Sequence, residues 1–122
     1  MRHAALERGA EGFRALTFSG AQGVEYPSAE SEESKILESV RSCMTNGATT
    51  ATPFAAIVIE PTRQSTGHSV SDSFIDKLSG IAEDFDAALV VDETGTGCGA
   101  SGSGFWQYKG HKADYVVFGK RM

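Results

Sequence analysis

Apolar residues recur along this chain in two rhythms, one helical and one unbroken. Ile36, Leu37, Val40 and Met44 fall on one face of a helix, which the pattern predicts from Ser28 to Asn46. Glu30, Glu32 and Glu33 open it, where the helix dipole favours acids. Asn46-Gly47 reads as its end and Ala48 to Pro53 as a small-residue linker. A cleaner stripe, Phe74, Ile75, Leu78, Ile81, Ala82 and Phe85, predicts a second helix capped by Ser71 or Asp72 and left at Asp86. The other rhythm has no polar alternation. Phe54 to Ile59 stops at Glu60-Pro61, Ala87 to Val91 stops at Asp92-Glu93, and the run from Ala113 to Phe118 stops at Gly119-Lys120. Runs of this kind are parallel strands covered on both faces. The order strand, helix, strand between Phe54 and Val91 is a β-α-β unit with a right-handed crossover, so the fold class is α/β with a mainly parallel sheet. Residues 1–27 read as mostly irregular, and residues 28–122 as helix and β-α-β units. Thr94 to Gly104 is a loop with five glycines, followed by the aromatic anchor Phe105-Trp106-Gln107-Tyr108.

Composition narrows the partners. The chain has 122 residues, enough for one domain with a modest core, and 40% of them are hydrophobic. Its net charge of −5 comes without a basic stripe, which argues against nucleic acid. Its apolar runs are too short to span a membrane. Cys43 and Cys98 lie far apart, and His3, His68 and His111 are isolated. The expectation is therefore no disulfide framework, a reducing compartment, no metal site and surface histidines. The amino-terminal segment lacks a secretory apolar stretch, and Glu7 and Glu11 among its arginines weaken a transit-peptide reading. A parallel strand ending near Lys120 calls for a return helix, and the sequence stops two residues later, so the expectation is a piece of a larger fold.

The strand ends carry the candidate chemistry. In open α/β sheets ligands sit at the carboxyl ends of the strands. A carboxylate there (Asp92) can hold a protonated heteroaromatic nitrogen, and a lysine (Lys120) can form an imine with an aldehyde. Pyridoxal phosphate needs both. Singly, Asp92 could be a solvated strand terminus and Lys120-Arg121 a solvated basic pair; with Glu60 at a third strand end, the three together favour a site. Gly97-Cys98-Gly99-Ala100-Ser101-Gly102 matches G-x-G-x-x-G, but no helical periodicity follows it, so a flexible glycine loop is the better reading than a nicotinamide site. Gly67-His68-Ser69 does not follow a strand and is no nucleophile elbow.

The order and spacing of Ile57-Val58-Ile59-Glu60-Pro61, the helix Asp72 to Phe85, Val90-Val91-Asp92-Glu93, Phe105-Trp106 and Asp114 to Lys120 resemble the middle of the large domain of 4-aminobutyrate aminotransferases, class III enzymes of fold type I. Tyr26-Pro27 and the acidic helix after it are similar too, so the likeness covers nearly all of the chain from about Glu25. The resemblance implies an incomplete three-layer α/β/α large domain, with residues 1–122 one partial segment of it. It implies pyridoxal 5'-phosphate as cofactor, with Lys120 matching the Schiff-base lysine and Asp92 the carboxylate facing the pyridine nitrogen. Glu60 matches a glutamate that holds a substrate-binding arginine. The family's glutamine against the cofactor phenolic oxygen corresponds to Gly95, a departure. Also implied are amino acid and 2-oxo acid substrates, 4-aminobutyrate or a similar omega-amino acid with 2-oxoglutarate, a homodimer, and a mitochondrial matrix location, otherwise cytoplasmic. Cys98 matches no family position. The phosphate cup, the carboxylate-binding arginines and the small domain correspond to segments outside this sequence. Two readings of the 122 residues stay open: a transaminase segment, inactive by itself, or a non-catalytic remnant kept as an interaction or scaffold piece.

Overall fold

The computed structural model describes residues 23–50, 53–96 and 113–119. After an extended stretch through Tyr26 and Pro27, a 3-10 turn (Glu30–Glu32) leads into α1 (Glu33–Thr49). Ser28 lends the turn its start, with N–H and Oγ–H both donating to Glu32 Oε2 at 3.0 and 2.7 Å. The helix buries Ile36, Leu37 and Met44, as its stripe predicts. It does not stop at Asn46-Gly47. Gly47 is buried inside the last turn, and the Thr49 and Thr50 hydroxyls donate to the Asn46 carbonyl, so the threonines of the expected linker close the helix instead.

Strand β1 (Ala56–Ile59) starts two residues later than its apolar run, because Phe54 packs into the core rather than onto the ladder. Helix α2 (Asp72–Asp84) begins at Ser71, whose Oγ accepts the Phe74 N–H at 3.1 Å. It buries Phe74, Ile75, Leu78, Ile81 and Ala82. Asp86, with φ of 52°, takes the left-handed conformation that aspartate tolerates better than most residues and turns the chain directly into β2 (Ala88–Asp92). Strand β3 (Tyr115–Val117) completes a parallel sheet of order β1-β2-β3. Asp114 sets its start: its N–H donates to Leu89 O and its carboxylate accepts the Leu89 N–H at 2.8 Å. Residues 1–22 and 97–112 lie outside the described residues, and with them the glycine motif from Gly97, the aromatic anchor, Cys98, His3 and His111.

The core joins α1, α2 and one face of the sheet, with Leu89 of β2 in its centre and Ile57 and Ile59 of β1 packed against it. The expectation of strands covered on both faces is not met. Val58 on the other face is 65% exposed, and Tyr115 and Val117, in register beside Val90 and Asp92, are also exposed. Val90 nevertheless is buried. No helix among the described residues is long and apolar enough to cross a membrane.

Candidate functional site

Because the three strands run parallel and in sequence order, their carboxyl ends share one edge, with Glu60 after β1, Asp92 closing β2, and Phe118-Gly119 after β3. Alternation puts Asp92 on the face away from the helices, the face of Val90. Its carboxylate is half-buried, and Oδ1 accepts the Thr94 N–H at 2.9 Å. The Glu93 N–H donates to Val117 O at 2.8 Å and ties the two strand ends together. Lys120 lies outside the described residues. The chain leading to it passes through Gly119 with φ of 145°, a conformation that side-chain-bearing residues rarely adopt, so glycine is required there.

Glu60 is exposed and its Oε2 accepts the Gln64 N–H at 3.1 Å. It thus organises the loop that leaves β1. That loop is closed like a small hairpin: Val70 N–H to Pro61 O at 3.1 Å, Arg63 N–H to His68 O at 2.8 Å, a Thr62–Ser69 bridge, and Gly67 at φ of 71° in the turn. Tyr26 straps it from outside. The phenol hydrogen is shared between Pro61 O at 3.1 Å and His68 O at 3.3 Å, while the Arg63 guanidinium lies 5.5 Å from the ring centroid. His68, expected at the surface, is instead half-buried with its ring edge-on to Tyr26 at 6.1 Å. The aromatic neighbour arrives from a segment distant in sequence, which periodicity does not register.

Gly95 lies in the turn after Asp92, against the Gln64 side chain. In the same turn the Thr96 hydroxyl is buried with no hydrogen-bond partner among the described residues. A half-buried carboxylate and an unsatisfied buried hydroxyl leave hydrogen-bonding capacity at the strand ends, the place and donor set that suit a polar heteroaromatic ring. These residues fit pyridoxal phosphate. Gln64 and Thr96 escape the sequence reading because neither interrupts a periodic pattern. Among the described residues no group of three or more His, Cys, Asp or Glu is disposed to hold a metal. A groove of about 410 Å³ between α1 and α2, walled by Leu37, Arg41, Lys77 and Ile81, lies along the carboxyl-terminal half of α2, away from the strand ends. Arg41 and Asp84 bridge its rim at 2.7 Å.

A model of the family "Aminotransferase class-III" matches residues 9–122. The mitochondrial 4-aminobutyrate aminotransferase of Homo sapiens is 33% identical over 98 residues, 76% of this chain and 19% of that protein. Glutamate-1-semialdehyde 2,1-aminomutase of Ruminiclostridium cellulolyticum is 39% identical over 67 residues, 54% of this chain and 15% of that one. Among solved structures, lysine aminotransferase from M. tuberculosis in the internal aldimine form superposes with a TM-score of 0.64 at 27% identity, over 82% of this chain and 23% of that one. The chain spans about a fifth of the length of the aminobutyrate relative.

Proposed function

We propose a pyridoxal-phosphate-dependent transfer of amino groups for this chain, which belongs to the class-III aminotransferase family. The family's cofactor is pyridoxal 5'-phosphate and its fold is fold type I. In this reading residues 1–122 are one segment of the cofactor-binding large domain of a homodimer. The donor is 4-aminobutyrate or a similar omega-amino acid, the acceptor is 2-oxoglutarate, and the compartment is the mitochondrial matrix; the names of the relatives, mitochondrial 4-aminobutyrate aminotransferases, support the donor and the organelle. The observation that carries the reading is Asp92: a half-buried carboxylate closing the central strand, one oxygen engaged by the Thr94 N–H, beside the strand that runs on to Lys120.

When bound, the cofactor supplies an electron sink for the carbanion formed next to the amino nitrogen. Asp92 keeps the proton on the ring nitrogen that makes the sink effective. Lys120 would hold the cofactor covalently through its side-chain amine and would serve as the base that moves the proton at the substrate carbon. Glu60 orients the substrate end of the site through the loop it organises and an arginine from outside this segment. The sheet holds Glu60 and Asp92 at one edge, and the helices bury the face beneath them.

The test is borohydride reduction of the full-length protein with pyridoxal phosphate, followed by peptide mass spectrometry and donor assays. The expected result is a reduced pyridoxyl adduct on Lys120, lost in Lys120→Ala, with omega-amino acids preferred as donors. An adduct on another lysine overturns the assignment. The rival, a non-catalytic interaction piece, draws on the glycine at position 95, and no adduct at all would favour it.

A further inference from the structure

Gly95 is not required by its backbone. Its φ lies outside the left-handed region that Gly67 and Gly119 occupy. Space requires it. A Cβ at position 95 would meet Gln64 Cβ at 3.2 Å, Cγ at 3.4 Å and Cδ at 3.5 Å, so the Gln64 side chain lies along the bare face of the glycine as far as its carboxamide carbon. The other end of Gln64 is fixed as well, its N–H donating to Glu60 Oε2 at 3.1 Å within the closed loop. The residue is exposed, so the carboxamide is presented at the rim rather than sealed in the core. It is thus carried from the end of β1 to the turn that follows Asp92 at the end of β2, across the edge where α/β sheets bind ligands.

From this juxtaposition we propose that Gln64 is a cofactor-binding residue, its carboxamide donating to the oxygen substituent of the pyridine ring whose nitrogen faces Asp92, and that Gly95 is the glycine that admits it. The proposal rests on the transaminase reading above. The chemistry suits the place. In pyridoxal phosphate the nitrogen and the carbon that bears the phenolic oxygen flank one methyl-bearing ring carbon, so that oxygen lies on the same edge of the ring as the nitrogen, within reach of a donor beside the carboxylate. A carboxamide offers an N–H there without adding a charge that would compete with Asp92.

The test is a titration of the full-length apoprotein with pyridoxal phosphate, read by cofactor affinity and by the visible absorbance of the bound cofactor. Gln64→Ala is expected to weaken binding about tenfold, the loss of one hydrogen bond to a charged oxygen, and to shift the absorbance. Gly95→Ala, whose Cβ pushes the Gln64 side chain aside, should weaken binding less than Gln64→Ala does, yet add no further loss in the Gln64→Ala background, since contacting residues are not additive. The exchange Gln64→Gly with Gly95→Gln hangs the carboxamide from the other side of the same contact, and should recover affinity and absorbance together. Melting temperatures of all variants within a few degrees of the parent separate binding from folding. Wild-type affinity and absorbance in Gln64→Ala, or full additivity of the two alanine changes, overturn the role of Gln64 while leaving the transaminase reading intact. A parent protein that does not bind the cofactor overturns both.

Discussion

Asp92 and Gln64 show what a single residue can and cannot announce. Asp92 was legible because a wholly apolar run stopped at it, and a carboxylate at the edge of a core needs a partner. Gln64 was not, because its meaning lies in contact with Gly95, a residue on another strand's turn. Removing the charge at Asp92 while keeping its shape should leave the cofactor bound and slow turnover: Asp92→Asn loses one charge-assisted hydrogen bond, about 1.5–3 kcal/mol, or ten- to a hundredfold in kcat. Steady-state kinetics beside a cofactor titration check this, and unchanged kcat would remove Asp92 from the chemistry. A gentler residue effect sits at the start of α1. The Ser28 hydroxyl and then its N–H hold the Glu32 carboxyl below the ordinary glutamate range. A carboxyl whose pKa is lowered by folding stabilises the fold above its unfolded value and loses that contribution as pH falls through the folded one. The Glu32 carboxyl resonance in NMR should therefore titrate at lower pH in the parent than in Ser28→Ala, and equal midpoints would dismiss the cap.

Between elements, a buried carboxylate does what hydrophobic stripes cannot. Glu33, 6% exposed at the first turn of α1, accepts the Ser71 N–H at 2.7 Å and the Ser71 hydroxyl at 2.5 Å, while Ser71 caps α2. The two helices are thereby locked together at their amino ends, whereas the exposed Arg41–Asp84 pair farther along is worth at most about 1 kcal/mol. Ser71→Ala removes both a cap and a partner of a buried charge and should cost about 2–3 kcal/mol in denaturant unfolding; Arg41→Ala should cost far less. Equal losses would show that the clamp carries no special weight. The stripes placed α2 within a residue of its observed ends because Ser71 is a strong cap in the sequence as well as in space. They misjudged the end of α1, since Gly47 looks like a terminator and only the threonine hydroxyls beyond it explain why the helix continues. In the sequence Glu33 is a dipole-favoured acid at a helix start; its burial depends on where α2 docks, and no periodicity carries that.

For the molecule as a whole, the two faces of the sheet differ in kind. One is packed by α1 and α2; the other presents Val58, Tyr115 and Val117 to solvent. An apolar patch of this sort on a sheet face drives association. Residues 1–122 expressed alone should bind a hydrophobic dye and self-associate with rising concentration in sedimentation, and Val58→Lys with Val117→Lys should reduce both. A monomer that ignores the dye would mean that this face is covered from within the 122 residues. The parallel sheet is legible from its runs, and the open face from the count of two helices against three strands, although an unbroken apolar strand by itself looks the same whether its second cover is present or supplied from elsewhere.

The Tyr26 strap has a dynamic consequence. Its hydroxyl grips both sides of the neck of the loop at residues 61–70, which is already closed by its own hydrogen bonds. Much of the conformational entropy that a binding loop ordinarily surrenders to a ligand has been surrendered in folding, so the loop that bears Gln64 is ordered before any ligand arrives. The cost of that order falls on a residue far upstream, outside the loop. Tyr26→Phe deletes a single oxygen, and amide hydrogen exchange at Arg63, Gly67 and Val70 should accelerate while exchange in the core of α2 keeps its rate. Were those three amides to exchange as slowly as before, the loop would owe its rigidity to itself alone.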